Sequence, residues 1–156
     1  MSLRLRREIR QKKPFGSPEE ELFLEVQRSA DMLMRGLEGV LKPSGLTQTQ
    51  YNVLRILRGA GPEGLVCHEV AERMVTRDPD VTRLLDRLES RGLVTRTRES
   101  GDRRVVRASL TESGISLLGR LDFDVAELHR RQLGHLGRAK LGRLVGLLAE
   151  TRAQLT

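Results

Sequence analysis

Leucine, valine and alanine recur at spacings of three and four through most of this chain, the period of an apolar stripe on an α-helix. The first run opens at Ser17-Pro18-Glu19-Glu20, where Ser17 suits the cap, Pro18 the first helical position and Glu20 the return arm of a capping box. Leu22, Val26, Ala30, Leu33, Leu37 and Val40 follow, and one amphipathic helix is predicted to end near Leu41, before Lys42-Pro43-Ser44-Gly45. Gly36 and Gly39 either weaken its far end or let another helix pack close.

Thr47-Gln48-Thr49-Gln50 is a second capping box, and Tyr51, Val53, Leu54, Ile56 and Leu57 form the buried side of the short helix it starts. Gly59-Ala60-Gly61-Pro62 ends that helix. Leu65 and Val66 then precede a third helix over about 67–74, with Val70, Ala71 and Met74 facing in. Asp78-Pro79 reads as the cap and first turn of a fourth helix, whose inward stripe is Val81, Leu84, Leu85 and Leu88. Its opposite face carries Thr82, Arg83, Asp86 and Arg87, and Gly92 stops it.

Beyond Gly92 the period changes. Residues 93–98 and 104–110 are β-rich and joined by Glu99-Ser100-Gly101-Asp102-Arg103, a hairpin in which alternation puts Arg96 and Arg98 on one face. Helical spacing returns after Thr111, a cap, through Ile115, Leu117, Leu118, Leu121, Val125 and Leu128. A break near 134–137 separates a last helix bearing Leu141, Leu144, Val145, Leu148 and Leu155.

Two short helices, a tight connection, a polar-faced helix and a hairpin are the grammar of a winged helix-turn-helix. The predicted fold is therefore mainly α with a small β-wing: a winged helix-turn-helix domain over 47–110, with N- and C-terminal dimerisation helices over 17–46 and 111–156. Dimerisation is expected because these helices hold more apolar surface than the small reading unit can cover.

Charge refines this picture. The net charge is +7, but six basic residues (Arg4, Arg6, Arg7, Arg10, Lys12, Lys13) against Glu8 put +5 of it in residues 1–13. Residues 1–16 thus read as a basic flexible arm, either a solvated tail or a contact for phosphate or a neighbouring subunit. The remainder is nearly balanced, so global basicity says little and local pattern decides. With no Trp, one Tyr and three Phe, the chain lacks the aromatic platforms of single-strand binders. A single cysteine, Cys67, excludes an intrachain disulfide and fits a reducing cytoplasm. Neither a membrane-length apolar run nor a signal peptide is expected.

On these grounds Thr82, Arg83 and Arg87 are the first candidates for base or phosphate contact, the alternative being a solvated helix face with local ion pairs. Arg77, Arg96 and Arg98 are further phosphate candidates, and Arg103 at the wing tip suits a minor groove. Cys67 is read as ordinary packing, with a redox trigger as the alternative. His68, His129 and His135 have neither metal-ligand spacing nor clustered carboxylates, so no metal and no cofactor are expected. Arg130, Arg131, Arg138, Lys140 and Arg143 read as solvated charge. No nucleophile–base pair or phosphate loop suggests an enzyme.

Residues 78–114 resemble the MarR family of winged helix-turn-helix regulators. The matching pieces are VTRLLDRLESRGLV at 81–94, then Asp102, Arg104, Leu110-Thr111 and Gly114 at the family's spacing, with LTQTQYNVLRIL before them. The likeness extends over roughly 20–155 and departs at Arg77-Asp78-Pro79-Asp80, where small residues are the family habit. It implies a cytoplasmic homodimeric repressor on a pseudo-palindromic operator in double-stranded DNA, with recognition helices in major grooves and wings near minor grooves. It also implies that Asp102 and Arg104 are a structural pair shaping the wing, and that a small phenolic or lipophilic effector, or cysteine oxidation, releases the DNA. The ligand-binding residues stay unassigned. An alternative is a protein-interaction module of the same fold that has lost operator binding, motivated by the nearly neutral folded portion and by the acidic Asp78 and Asp80 beside the reading face.

Overall fold

Hydroxyl and carboxylate caps decide where the helices of this chain begin. In the computed structural model, which describes residues 3–77, 80–98 and 105–155, Ser17 accepts from the Glu20 backbone N–H at the start of a helix over Pro18–Leu41. Glu20 reaches one residue further back than expected and accepts from the Gly16 N–H at 2.6 Å. At Thr47 both arms of the capping box are present, and the helix Gln48–Ala60 follows. Thr111 caps Glu112–Leu133 through the Gly114 N–H and donates its own hydroxyl to the Gly92 carbonyl.

In chain order the elements are α1 (Leu3–Glu8), α2 (Pro18–Leu41), α3 (Gln48–Ala60), β1 (Leu65–Val66), α4 (Cys67–Arg73), α5 (Val81–Ser90), β2 (Val94–Arg98), β3 (Val106–Leu110), α6 (Glu112–Leu133) and α7 (Gly137–Ala153). Short 3₁₀ turns follow α2 and α6. The strands form one antiparallel sheet in the order β1-β3-β2, with Leu65 opposite Ala108 and Arg96 opposite Ala108 from the other side. This is a mainly helical winged helix fold with a three-stranded sheet.

The core lies where α3, α5, α6 and the sheet meet the end of α2. It is built from aliphatic side chains such as Leu41, Val53, Leu54, Leu57, Val70, Leu88 and Leu118, all with essentially no exposure. The stripe of α5 is buried as its spacing predicts, at Val81, Leu84, Leu85 and Leu88. Gly36 explains itself here: α6 crosses so closely that a Cβ would sit 2.3 Å from Gln132 Nε2, and Gln132 donates to the Leu33 carbonyl at 3.2 Å. Gly39 meets nothing comparable.

Several expectations need correction. Residues 65–66 are a strand, because their backbone pairs with β3; two residues carry no readable period. Ala71 is exposed rather than inward. The α5 cap is Asp80, whose carboxylate accepts from the Arg83 N–H at 3.1 Å, and the helix proper begins at Val81. The reading of Asp78-Pro79 as cap and first turn lies outside the described residues. The basic arm contains α1, with Leu5 and Phe15 buried and Glu8 3.6 Å from Arg28 on α2. Its charges mask two apolar anchors that hold it down. In line with the expected surplus of apolar surface, α7 has no buried residue, and the front half of the α2 stripe is bare, with Leu22 56% and Phe23 beside it 62% exposed. Among the described residues no helix is long and apolar enough to cross a membrane.

Candidate nucleic-acid interface

With its four aliphatic residues turned into the core, α5 presents Thr82, Arg83, Asp86 and Arg87 to solvent. Arg87 has no ion pair among the described residues, so its guanidinium is available. Arg83 is tethered lightly: its Nε lies 3.0 Å from Asp80 Oδ2 while its side chain stays 77% exposed. An exposed pair of this sort is weak and leaves the guanidinium's other donors facing outward. The Thr82 hydroxyl lies 3.5 Å from Cys67 Sγ, which brings the first turn of α4 against the first turn of α5.

The same accounting separates Arg96 from Arg98. Arg96 Nε and Nη2 donate to Glu89 Oε2 at 2.8 and 2.6 Å, Nη2 also lies 2.6 Å from Asp86 Oδ1, and the Arg96 backbone N–H donates to Glu89 Oε1. Hydrogen bonding to Arg96 holds the Glu89 carboxyl below its ordinary value of 4.5, and Glu89 in turn raises the Arg96 guanidinium above the usual arginine range. Arg96 is thus a clasp between the last turn of α5 and the hairpin, with its Nε and Nη2 engaged by carboxylates. Arg98, two residues along, is exposed, as is Arg77 before α5. Arg103 and the Asp102–Arg104 pair lie outside the described residues.

Cys67 is half-buried. His68, His129 and His135 are all exposed, and no group of three metal-ligating side chains occurs among the described residues. Arg130, Arg131, Arg138, Lys140 and Arg143 are exposed on α6 and α7.

Away from α5, a cleft of about 350 Å³ opens between the end of α2 and α6. Gly39, Val40 and Pro43 line one side, and Asp124, Glu127 and Arg131 the other. Glu127 also pairs with Arg130. Two links that sequence reasoning missed join the reading unit to the long helices: Arg58 on α3 forks onto Asp122 of α6, and Arg91 forks onto the carbonyls of Ser44 and Gly45. Neither has a local sequence signal, because the partners are 64 and about 46 residues apart.

Comparison with known proteins agrees with this arrangement. Residues 46–106 match the profile described as the MarR family. The chain is 30% identical over 137 residues to the HTH-type transcriptional regulator FarR of Neisseria gonorrhoeae, covering 88% of this chain and 92% of that one. Among solved structures, a MarR transcription factor from Planctomyces limnophilus shares 41% identity with a TM-score of 0.68, covering 87% of this chain and 98% of that one. A mutant MarR from E. coli complexed with operator DNA shares 26% identity with a TM-score of 0.76, covering 84% and 93%.

Proposed function

The chain belongs to the MarR family, and on that premise we propose that it is a repressor that binds a pseudo-palindromic operator as a homodimer. The observation that carries the reading is the two-sided α5: an aliphatic stripe anchored in the core, and Arg83 and Arg87 outward beside a hairpin. Residues 47–110 form the reading domain in this proposal. Thr82, Arg83 and Arg87 meet the major groove, Arg77 and Arg98 meet phosphate, and Arg103 meets the minor groove. Arg96 is assigned to the α5–hairpin clasp ahead of a phosphate contact, because its Nε and Nη2 are engaged by Glu89 and Asp86.

Residues 17–46 and 111–156 form the dimer layer. A 17-residue helix with no buried residue is marginal in water, and α7 exposes Leu144, Val145 and Leu147 while α2 exposes Leu22, Phe23 and Val26. A second copy supplies the missing cover. A small phenolic or lipophilic effector is proposed to release the DNA; the open α2–α6 cleft, with Asp124, Glu127 and Arg131 in its lining, is not assigned to it. The arm of residues 1–16 adds basic charge beside the dimer layer, since Glu8 of α1 pairs with Arg28 of α2.

One motive of the interaction-module alternative is answered, since Asp80 is explained as the helix cap. The test is fluorescence anisotropy of the purified protein on fragments from upstream of its own coding sequence, across a salt series. Specific binding that weakens steeply with salt is expected, because phosphate contacts release counterions. Absence of binding to any fragment at low salt would overturn the proposal.

A further inference from the structure

The two links between the reading unit and the long helices differ in what they hold. Arg58 fastens α3, the support helix, by a bidentate contact to Asp122 at 2.8 and 2.9 Å. Arg91 fastens α5 itself. It is the residue directly after that helix, and its Nη1 and Nη2 donate to the Gly45 and Ser44 carbonyls, both at 2.8 Å. Those carbonyls belong to the corner where α2 turns toward α3, a 3₁₀ turn closed by Gly45 in the left-handed region at φ 62°. Two successive carbonyls facing one guanidinium match its planar, fixed-angle donors, a geometry that a flexible ammonium does not reproduce. Backbone acceptors also neither titrate nor swing away.

We propose that Arg91 is a positioning residue: its fork sets the position of the recognition helix against the long helices, and through the dimer it sets which half-site spacing is accepted. This rests on the operator-binding reading above. The scale fits. One base pair more or less moves a half-site by about 3.4 Å and turns it by about 35° around the duplex, so the two recognition helices must be held in both distance and orientation to tell spacings apart. The buried stripe through Leu88 anchors α5 in the core and the Arg96 clasp ties its last turn to the hairpin, while Arg91 ties that same end to the corner after α2. Pro43, in the same corner, lines the α2–α6 cleft, so the link begins where the cleft ends.

The experiment compares full-length wild type, Arg91→Ala and Arg91→Lys on a genome-selected operator, on versions with one central base pair added or removed, and on a single half-site. Wild type is expected to prefer the native spacing by ~10-fold or more, the usual order for one wrong base pair. Arg91→Ala should flatten that preference to under ~3-fold while its half-site affinity stays within ~2-fold of wild type. Arg91→Lys should recover part of the preference. Because Arg91 is exposed, Arg91→Ala is expected to fold; if melting shows otherwise, Arg91→Met, which keeps the aliphatic stem, replaces it with the same expectations. Wild-type spacing preference in the Ala or Met variant, or equal weakening on every duplex including the half-site, would overturn the proposal. A wild type that binds no duplex would instead overturn the operator-binding reading.

Discussion

Two arginines a helix and a strand apart illustrate how a side chain's role follows from its partners. Arg87 has no ion pair among the described residues, so Arg87→Ala should leave the melting temperature unchanged while weakening operator binding by about 1–3 kcal/mol, the range for a true base contact. Unchanged anisotropy-derived affinity would remove it from the reading surface. Arg96 should behave in the opposite way. Its substitution by Ala should lower unfolding stability by on the order of 1 kcal/mol, because the clasp to Glu89 and Asp86 is only partly shielded from water. The Glu89 carboxyl titrates below 4.5 in the folded protein, so its stabilisation is present above that value and lost as pH falls through the lowered one. Urea midpoints of wild type should therefore fall between neutral pH and the acid side of 4.5 by more than those of Arg96→Ala. Parallel curves would deny the clasp a role. Asp122 follows the same sign, its carboxyl being lowered by its hydrogen bonds to Arg58.

At the scale of elements, the caps and stripes were legible because they are local. Thr47 with Gln50, Thr111, and the Val81–Leu84–Leu85–Leu88 stripe depend only on neighbours three or four residues away. At the start of α5 the D-P-D sequence offers two capping carboxylates, and the described helix takes Asp80 as its cap. Asp80→Ala should cost about 1 kcal/mol, as an N-cap does, readable as a lowered denaturation midpoint. What sequence hid is whatever depends on distant pairing: β1, the Arg58 and Arg91 forks, and the partner of Arg96, whose face alternation predicted but whose engagement it did not. Gly114 stands between the two cases. Its place in the wing signature was visible, and its reason is packing: a Cβ there would lie 2.3 Å from the Leu93 carbonyl oxygen, a backbone atom that cannot swing aside. Gly114→Ala should destabilise by about 1–3 kcal/mol, in the manner of an overpacked core, and an unchanged midpoint would contradict the close approach.

At the scale of the whole molecule, the exposed aliphatic surface of α2 and α7 sets the expected assembly. Replacing Leu144 and Val145 together with Asp should convert a dimer to a monomer at micromolar concentration by light scattering, and reduce operator affinity more than ~10-fold through loss of the linked second site. A wild type that already scatters as a monomer would end this account. The short pairing of Leu65 with Ala108 has a further consequence, for the order in which the protein opens. By joining β1 to β3, it closes a loop that contains α4, α5 and β2, so the recognition helix lies within one cooperative unfolding unit. Native-state hydrogen exchange should then find the amides of α4, α5 and β2 becoming free together, at one common free energy, while those of α7 exchange earlier in the monomeric variant. A recognition helix that exchanged alone would mean that the ring had been opened elsewhere.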